Sequence, residues 1–177
     1  MTPPELPPDF KEFLSCLTSR GVRFVIVGAH ALAAAGLARP TQDIDVLVEP
    51  TKANARRLAR ALSDFGFAEM ADAAERHFSR PGRMATLGRE PIRIDVLSSV
   101  DGVTFARAWK GRVVHRIGDI DLPFLGLAEL RDTKRAAGRP KDVDDLHRLD
   151  EVLGAPKKHA PRSRRATRKK SRTRKAR

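Results

Sequence analysis

At 177 residues and 41% hydrophobic side chains, the chain has the length and apolar content for one globular domain, which excludes a wholly disordered protein. A lone cysteine, Cys16, excludes an internal disulfide and a multi-cysteine metal site. The formal charge of +13 is local: twelve of the 35 Lys and Arg residues, and no acid, lie in residues 156–177, which leaves +1 over residues 1–155.

That division predicts a domain over residues 1–155 and a basic, disordered tail over 156–177, since a run of like charges without apolar periodicity repels itself. Such a tail attracts RNA, DNA or another polyanion nonspecifically, and without aromatics it offers no base stacking. The opening "MTPPELPPDF" lacks the basic-then-apolar order of a secretory signal. With the cysteine usage, this points to a cytoplasmic location. The longest apolar run, 24–38, is broken by Gly28, His30 and Gly36 and is shorter than the ~18 residues a spanning helix needs, so no membrane partner is expected.

In chain order, Asp9 is placed to cap a helix with Phe10, Phe13, Leu14 and Leu17 on one face, ended by Gly21. "RFVIVG" reads as a buried strand running into a small-residue helix, "GAHALAAAGLA", that stops near Gly36. A second strand, "DIDVLVE", closes at Pro50, and Thr51 caps a helix with Ala55, Leu58, Leu62 and Phe65 on one side, stopped by Gly66. Residues 67–90 predict a strand and turns around "RPGR". "PIRIDVLSS", from Pro91, is a third strand; a short helix from Asp101 or Gly102 to Trp109 follows, then a hairpin over "GRVVHRIGDIDLPF". Two helices, 127–137 and 141–153, flank "GRP". The fold class is α/β or α+β, a mixed β-sheet with flanking helices and a C-terminal helical pair.

Asp43 and Asp45 project from one face of their strand while Ile44, Val46 and Val48 fill the other. The motif "IDVL" occurs at 44–47 and again at 94–97, so Asp95 joins the pair if the two strands are neighbours. Three convergent carboxylates are costly without a cation, and hard divalent ions bound by oxygen are the usual remedy. Magnesium prefers few carboxylates plus phosphate oxygens, which points to a phosphate-bearing substrate. An exposed strand edge would also carry such acids. Two further D-x-D patterns, Asp119/Asp121 and Asp142/Asp144, have simple roles in a turn and at a helix start. Gly28, at the junction of strand and helix, lets backbone approach a ligand closely.

Gly28-Ala29, then "RPTQDID" and a later strand acid, together with the closing "KRAAGRPKDVDDL", resemble the nucleotidyltransferase superfamily that includes DNA polymerase beta. The nearer likeness is to its small bacterial subgroup, related to abortive-infection and toxin-type nucleotidyltransferases. The resemblance covers about residues 22–153. It implies that Asp43 and Asp45 bridge two magnesium ions and that Asp95 holds the ion activating a hydroxyl, which attacks the α-phosphate of a nucleoside triphosphate. It places backbone of Gly28 and Ala29 at the β- and γ-phosphates. Arg39 and Thr41 become substrate contacts and Lys134 a phosphate contact, with Arg139 and Lys141 beside it. Ala29 departs from the Ser or Gly of the family pattern, removing one hydroxyl contact worth about 1 kcal/mol. A lysine late in a helix also suits the helix C-terminus, which is the other reading of Lys134. His30 is expected to be hydrogen-bonded near the pocket without acting as a base, and His77, His115 and His147 show no metal spacing.

The resulting expectation is a magnesium-dependent nucleotidyltransferase moving a nucleoside monophosphate to an unidentified hydroxyl acceptor on a small molecule, protein or RNA. The alternatives are a catalytically silent nucleic-acid-associated protein acting through its tail, and a toxin–antitoxin module acting on tRNA.

Overall fold

The structure, a computed structural model, describes residues 6–89 and 92–153. The basic tail and the strand start at Pro91 lie outside the described residues. Helix α1 (Pro8–Ser19) buries Phe10, Phe13, Leu14 and Leu17 as the periodicity predicts. Its start differs from expectation. Pro8 occupies a first-turn position, where its missing N–H costs nothing, and Pro7 takes the cap position, so Asp9 lies inside the first turn without capping.

Strand β1 (Phe24–Val27) is buried on both faces and passes directly into α2 (Gly28–Ala34). Strand β2 (Asp43–Val48) follows, then α3 (Lys52–Asp64), whose Asn54 backbone N–H donates to the Thr51 hydroxyl. The buried Asn54 side chain locks these pieces together. Its Nδ2 donates to the carbonyls of Arg23 (3.0 Å) and Glu49 (3.1 Å), and its Oδ1 accepts from Arg23 N (2.7 Å).

Residues 67–90 hold a 3-10 turn (Ala68–Met70) and α4 (Ala71–His77) before β3 (Met84–Arg89), so the expectation of a strand and turns alone missed a helix. Within α4 only Ala74 is buried, which leaves no apolar stripe to read. After β4 (Ile92–Leu97), α5 (Phe105–Lys110) begins later than expected because Thr104, not Asp101 or Gly102, caps it. The hairpin of β5 (Val113–Ile117) and β6 (Ile120–Phe124) is present, and α6 (Leu127–Ala137) ends on Gly138 in the left-handed conformation (φ 60°) before α7 (Pro140–Leu153).

The six strands form one mixed sheet in the order β3-β4-β2-β1-β6-β5. Strands β2 and β4 pair in parallel, as do β1 and β6; the other pairs are antiparallel. The pleat divides the functions of the two faces. Ile44, Val46, Ile94 and Val96 are buried in the core, and an apolar recess carries α3 and α4 over Leu87 and Val96. On the opposite face Asp43, Asp45 and Asp95 line a cleft whose other wall is α6 and the start of α7. Among the described residues no helix is long and apolar enough to cross a membrane.

Candidate active site

The repeated "IDVL" is the register of a parallel pair. Ile44 lies opposite Ile94, Asp45 opposite Asp95, Val46 opposite Val96 and Leu47 opposite Leu97. Asp43, two residues before Asp45, shares its face and lies opposite Arg93. The sheet therefore brings the three expected carboxylates together at one cleft of about 440 Å³, which Gly28, Ala29, Arg39, Lys134, Arg139 and Lys141 also line.

Each carboxylate has a different setting. Asp43 accepts from the Thr41 hydroxyl (2.6 Å) and pairs with Arg93 Nη2 (2.7 Å). Burial pushes its carboxyl up, but the Thr41 hydrogen bond and the Arg93 charge outweigh this, and the net shift is below the ordinary value. Asp95 is buried and accepts from the Thr86 hydroxyl (2.7 Å), with Arg93 Nη2 at 3.4 Å. Asp45 has no hydrogen bond or ion pair with any described residue. Burial first, then the charges of Asp43 and Asp95, push its carboxyl above the ordinary range, against weaker opposing pulls from Lys141 and Lys134.

Gly28 is placed by this carboxylate. It adopts φ +66°, and a β-carbon there would sit 2.1 Å from Asp45 Oδ2. Only glycine leaves room for the aspartate at the turn into α2.

Arg39 and Thr41, expected as substrate contacts, are both engaged within the protein. Thr41 fixes Asp43 and lines a neighbouring recess, while Arg39 Nε contacts Asp145 at 3.2 Å. Lys134 is 4% exposed, and its Nζ lies 2.8 Å from both Asp142 Oδ1 and Asp145 Oδ2, which are 0% and 2% exposed. It stands in the last turn of α6, where a cation suits the helix C-terminus, and its ammonium neutralises two buried acids beneath the cleft wall. Arg139 also pairs with Asp142 (2.8 Å), so an ionic chain runs from Arg39 through Asp145, Lys134 and Asp142 to Arg139. Asp142 is in the first turn of α7 as expected for a helix-start acid, but buried rather than solvated; Asp144 is exposed.

His30 differs from its expected hydrogen-bonded state. Both ring nitrogens are buried without a hydrogen-bond partner, the ring stands edge-on to Phe10 (5.7 Å), and burial pushes its pKa down against the charge of Asp43. Sequence reasoning missed Arg93, Thr86, Asp142 and Asp145. A signal existed for two of them. Arg93 stands two before Asp95, as Asp43 does before Asp45. Lys134 and Asp142 stand equally far from the turn glycine Gly138, the spacing an antiparallel helix pair brings together.

The donor set suits a hard divalent cation in kind: oxygen only, on two adjacent strands, with the half-buried Asp45 carboxylate lacking a partner among the described residues. As the side chains stand, no three acidic, histidine or cysteine residues among those described already converge on one metal position, and the Arg93 guanidinium bridges Asp43 and Asp95.

No protein-family model matches the chain, and no curated protein matches it. Among solved structures the chain is similar to a Thermotoga maritima protein described as a "putative nucleotidyltransferase", at 15% identity and a TM-score of 0.48, over 84% of this chain and 95% of that one.

Proposed function

We propose that the protein is a magnesium-dependent, cytoplasmic nucleotidyltransferase that moves a nucleoside monophosphate from a nucleoside triphosphate to a hydroxyl acceptor, releasing pyrophosphate. The observation that carries this reading is the in-register pairing of Asp45 with Asp95, with Asp43 on the same face, inside a cleft whose opposite wall is cationic. The sequence resemblance over Gly28-Ala29, Asp43-x-Asp45 and Asp95 supports it.

Asp43, Asp45 and Asp95 would hold the metal, with Thr41 and Thr86 fixing the first and third carboxylates. Bound there, magnesium supplies charge stabilisation for the attacking and departing oxygens. The chain's own residues do the positioning. Backbone at Gly28 and Ala29 lines the cleft beside the carboxylates, where a phosphate chain would lie. Arg139 and Lys141 present positive charge to those phosphates from across the cleft. Lys134 contributes its charge from beneath, held by its two aspartates. No protein nucleophile is required, since phosphoryl and nucleotidyl transfer of this type depends on position and charge.

The test is incubation of the protein with each labelled nucleoside triphosphate, magnesium and total cell extract, with Asp43→Asn as control. Label should pass to a macromolecule or small acceptor with the native chain and not with the variant. Equal labelling by both would remove the catalytic reading.

A further inference from the structure

Four charged side chains share the cleft face of β2 and β4, and one of them is a cation. Arg93 lies directly opposite Asp43 in the parallel register and two residues from Asp95, so the pleat delivers its guanidinium between them. Its Nη2 is 2.7 Å from Asp43 Oδ2 and 3.4 Å from Asp95 Oδ2. It thus ties the first and third carboxylates together and leaves Asp45 without a partner among the described residues. One positive charge stands among three negative ones, so the face remains two charges short of neutral.

The same oxygens cannot serve a guanidinium and a metal ion at once. A guanidinium engages carboxylate lone pairs by donation, and those lone pairs are the ones a hard cation needs. Arg93 also has room to leave. Its side chain is 37% exposed and lines both the cleft and a second recess of about 460 Å³ formed with Pro40, Thr41, Gln42 and Asp43. A long, flexible arm anchored at the boundary of two recesses can turn from one to the other without moving the strands.

We propose that Arg93 is the resident counter-cation of the carboxylate face, and that divalent-cation binding displaces its guanidinium from Asp43 and Asp95 toward the neighbouring recess. The inference rests on the nucleotidyltransferase reading for the existence of the metal site. Metal affinity is then set by competition: a monovalent ion gains little over the charge already in place, whereas a divalent ion gains both the pair of carboxylates and Asp45. The arginine keeps the empty face intact and makes its occupancy selective for charge.

The test uses the full chain, without nucleotide, and Mn²⁺ as the probe, with free ion measured by electron paramagnetic resonance. Arg93→Gln should bind Mn²⁺ about tenfold or more tightly than wild type, because it removes a competitor for the same oxygens. In parallel, the wild-type Arg93 Nε–H resonance, identified by its loss in Arg93→Gln, should shift and saturate with added Mg²⁺. This second measurement decides the matter if the variant does not fold. Equal or weaker Mn²⁺ binding by a folded Arg93→Gln, or an Arg93 resonance that stays fixed while Mg²⁺ binds, overturns the displacement while leaving the metal site standing. Absence of Mn²⁺ binding by both chains overturns the metal site, and the displacement with it.

Discussion

The Oδ2 of Asp45 occupies the space in which any residue other than glycine at position 28 would carry its β-carbon, 2.1 Å away. Turn and carboxylate therefore fit as one unit. Replacing Gly28 with Ala adds a left-handed backbone cost of about 1–2 kcal/mol and forces the Asp45 carboxylate to turn from its place beside residue 28. Urea denaturation should show at least that loss, and Mn²⁺ binding should weaken by an order of magnitude or more. A variant as stable as wild type with unchanged metal affinity would contradict the packing described.

Asp45 is the carboxylate of the three with no hydrogen bond or ion pair among the described residues, and its carboxyl is pushed above the ordinary 3.8. A raised acid favours the fold below 3.8, and that contribution is lost as pH rises through the folded-state value. Metal-free protein should therefore gain thermal stability from Asp45→Asn at neutral pH, and the difference should vanish in acid. Magnesium should raise the melting temperature of wild type and leave Asp45→Asn unmoved. Melting curves in chelator and in magnesium, at pH 3.5 and pH 7, read both effects. A lower neutral-pH melting temperature for the metal-free variant would count against the repulsion.

The three carboxylates were legible in the sequence because strands alternate and because "IDVL" repeats. The repeat suggested only that Asp95 would join the pair if the two strands were neighbours; they are, in parallel, and Asp95 falls opposite Asp45. What stayed illegible depended on long-range packing. Lys134 offered a phosphate-facing or helix-capping reading from local context, and only the docking of α7 on α6 shows that it neutralises Asp142 and Asp145. Helix α4 buries one alanine, so nothing periodic announced it. His30 sits in a small-residue helix with its ring edge-on to Phe10, a contact invisible in one dimension, and its ring nitrogens have no hydrogen bond among the described residues.

Lys134 is the ammonium shared by two buried acids, and its loss leaves Asp142 with Arg139 and Asp145 with Arg39 as their partners among the described residues. Lys134→Met should destabilise the fold by about 3–5 kcal/mol, and adding Asp142→Asn and Asp145→Asn should restore most of it. Burial raises the Asp142 carboxyl, but the bonds from Lys134 and Arg139 bring it below the ordinary 3.8. Its contribution is thus present above pH 3.8 and disappears as pH falls through the lower folded value. Unfolding followed through the fluorescence of Trp109, the one tryptophan, measures both. A loss smaller than about 1 kcal/mol would show that the pair is solvated.

The basic residues 156–177 are expected to act separately from the cleft. A chain ending at residue 155 should lose nearly all affinity for a single-stranded oligonucleotide of mixed sequence. The full chain's binding should fall with log salt by about 0.7 for each phosphate neutralised. Magnesium-dependent labelling should be the same for both chains. If truncation removes labelling too, the tail belongs to acceptor recognition.

The bond between Arg39 and Asp145 spans 106 positions and joins the segment leading into β2 to a helix near the far end of the fold. On a translating ribosome Asp43, Asp45 and Asp95 are made together with Arg39 and Arg93, and Lys134, Arg139 and Lys141 of the opposite wall follow only after all six strands. A nascent polypeptide halted before residue 134 would carry the three acids without Lys134, Arg139 and Lys141 of the opposite wall, so the cleft is completed as one of the last events of biosynthesis.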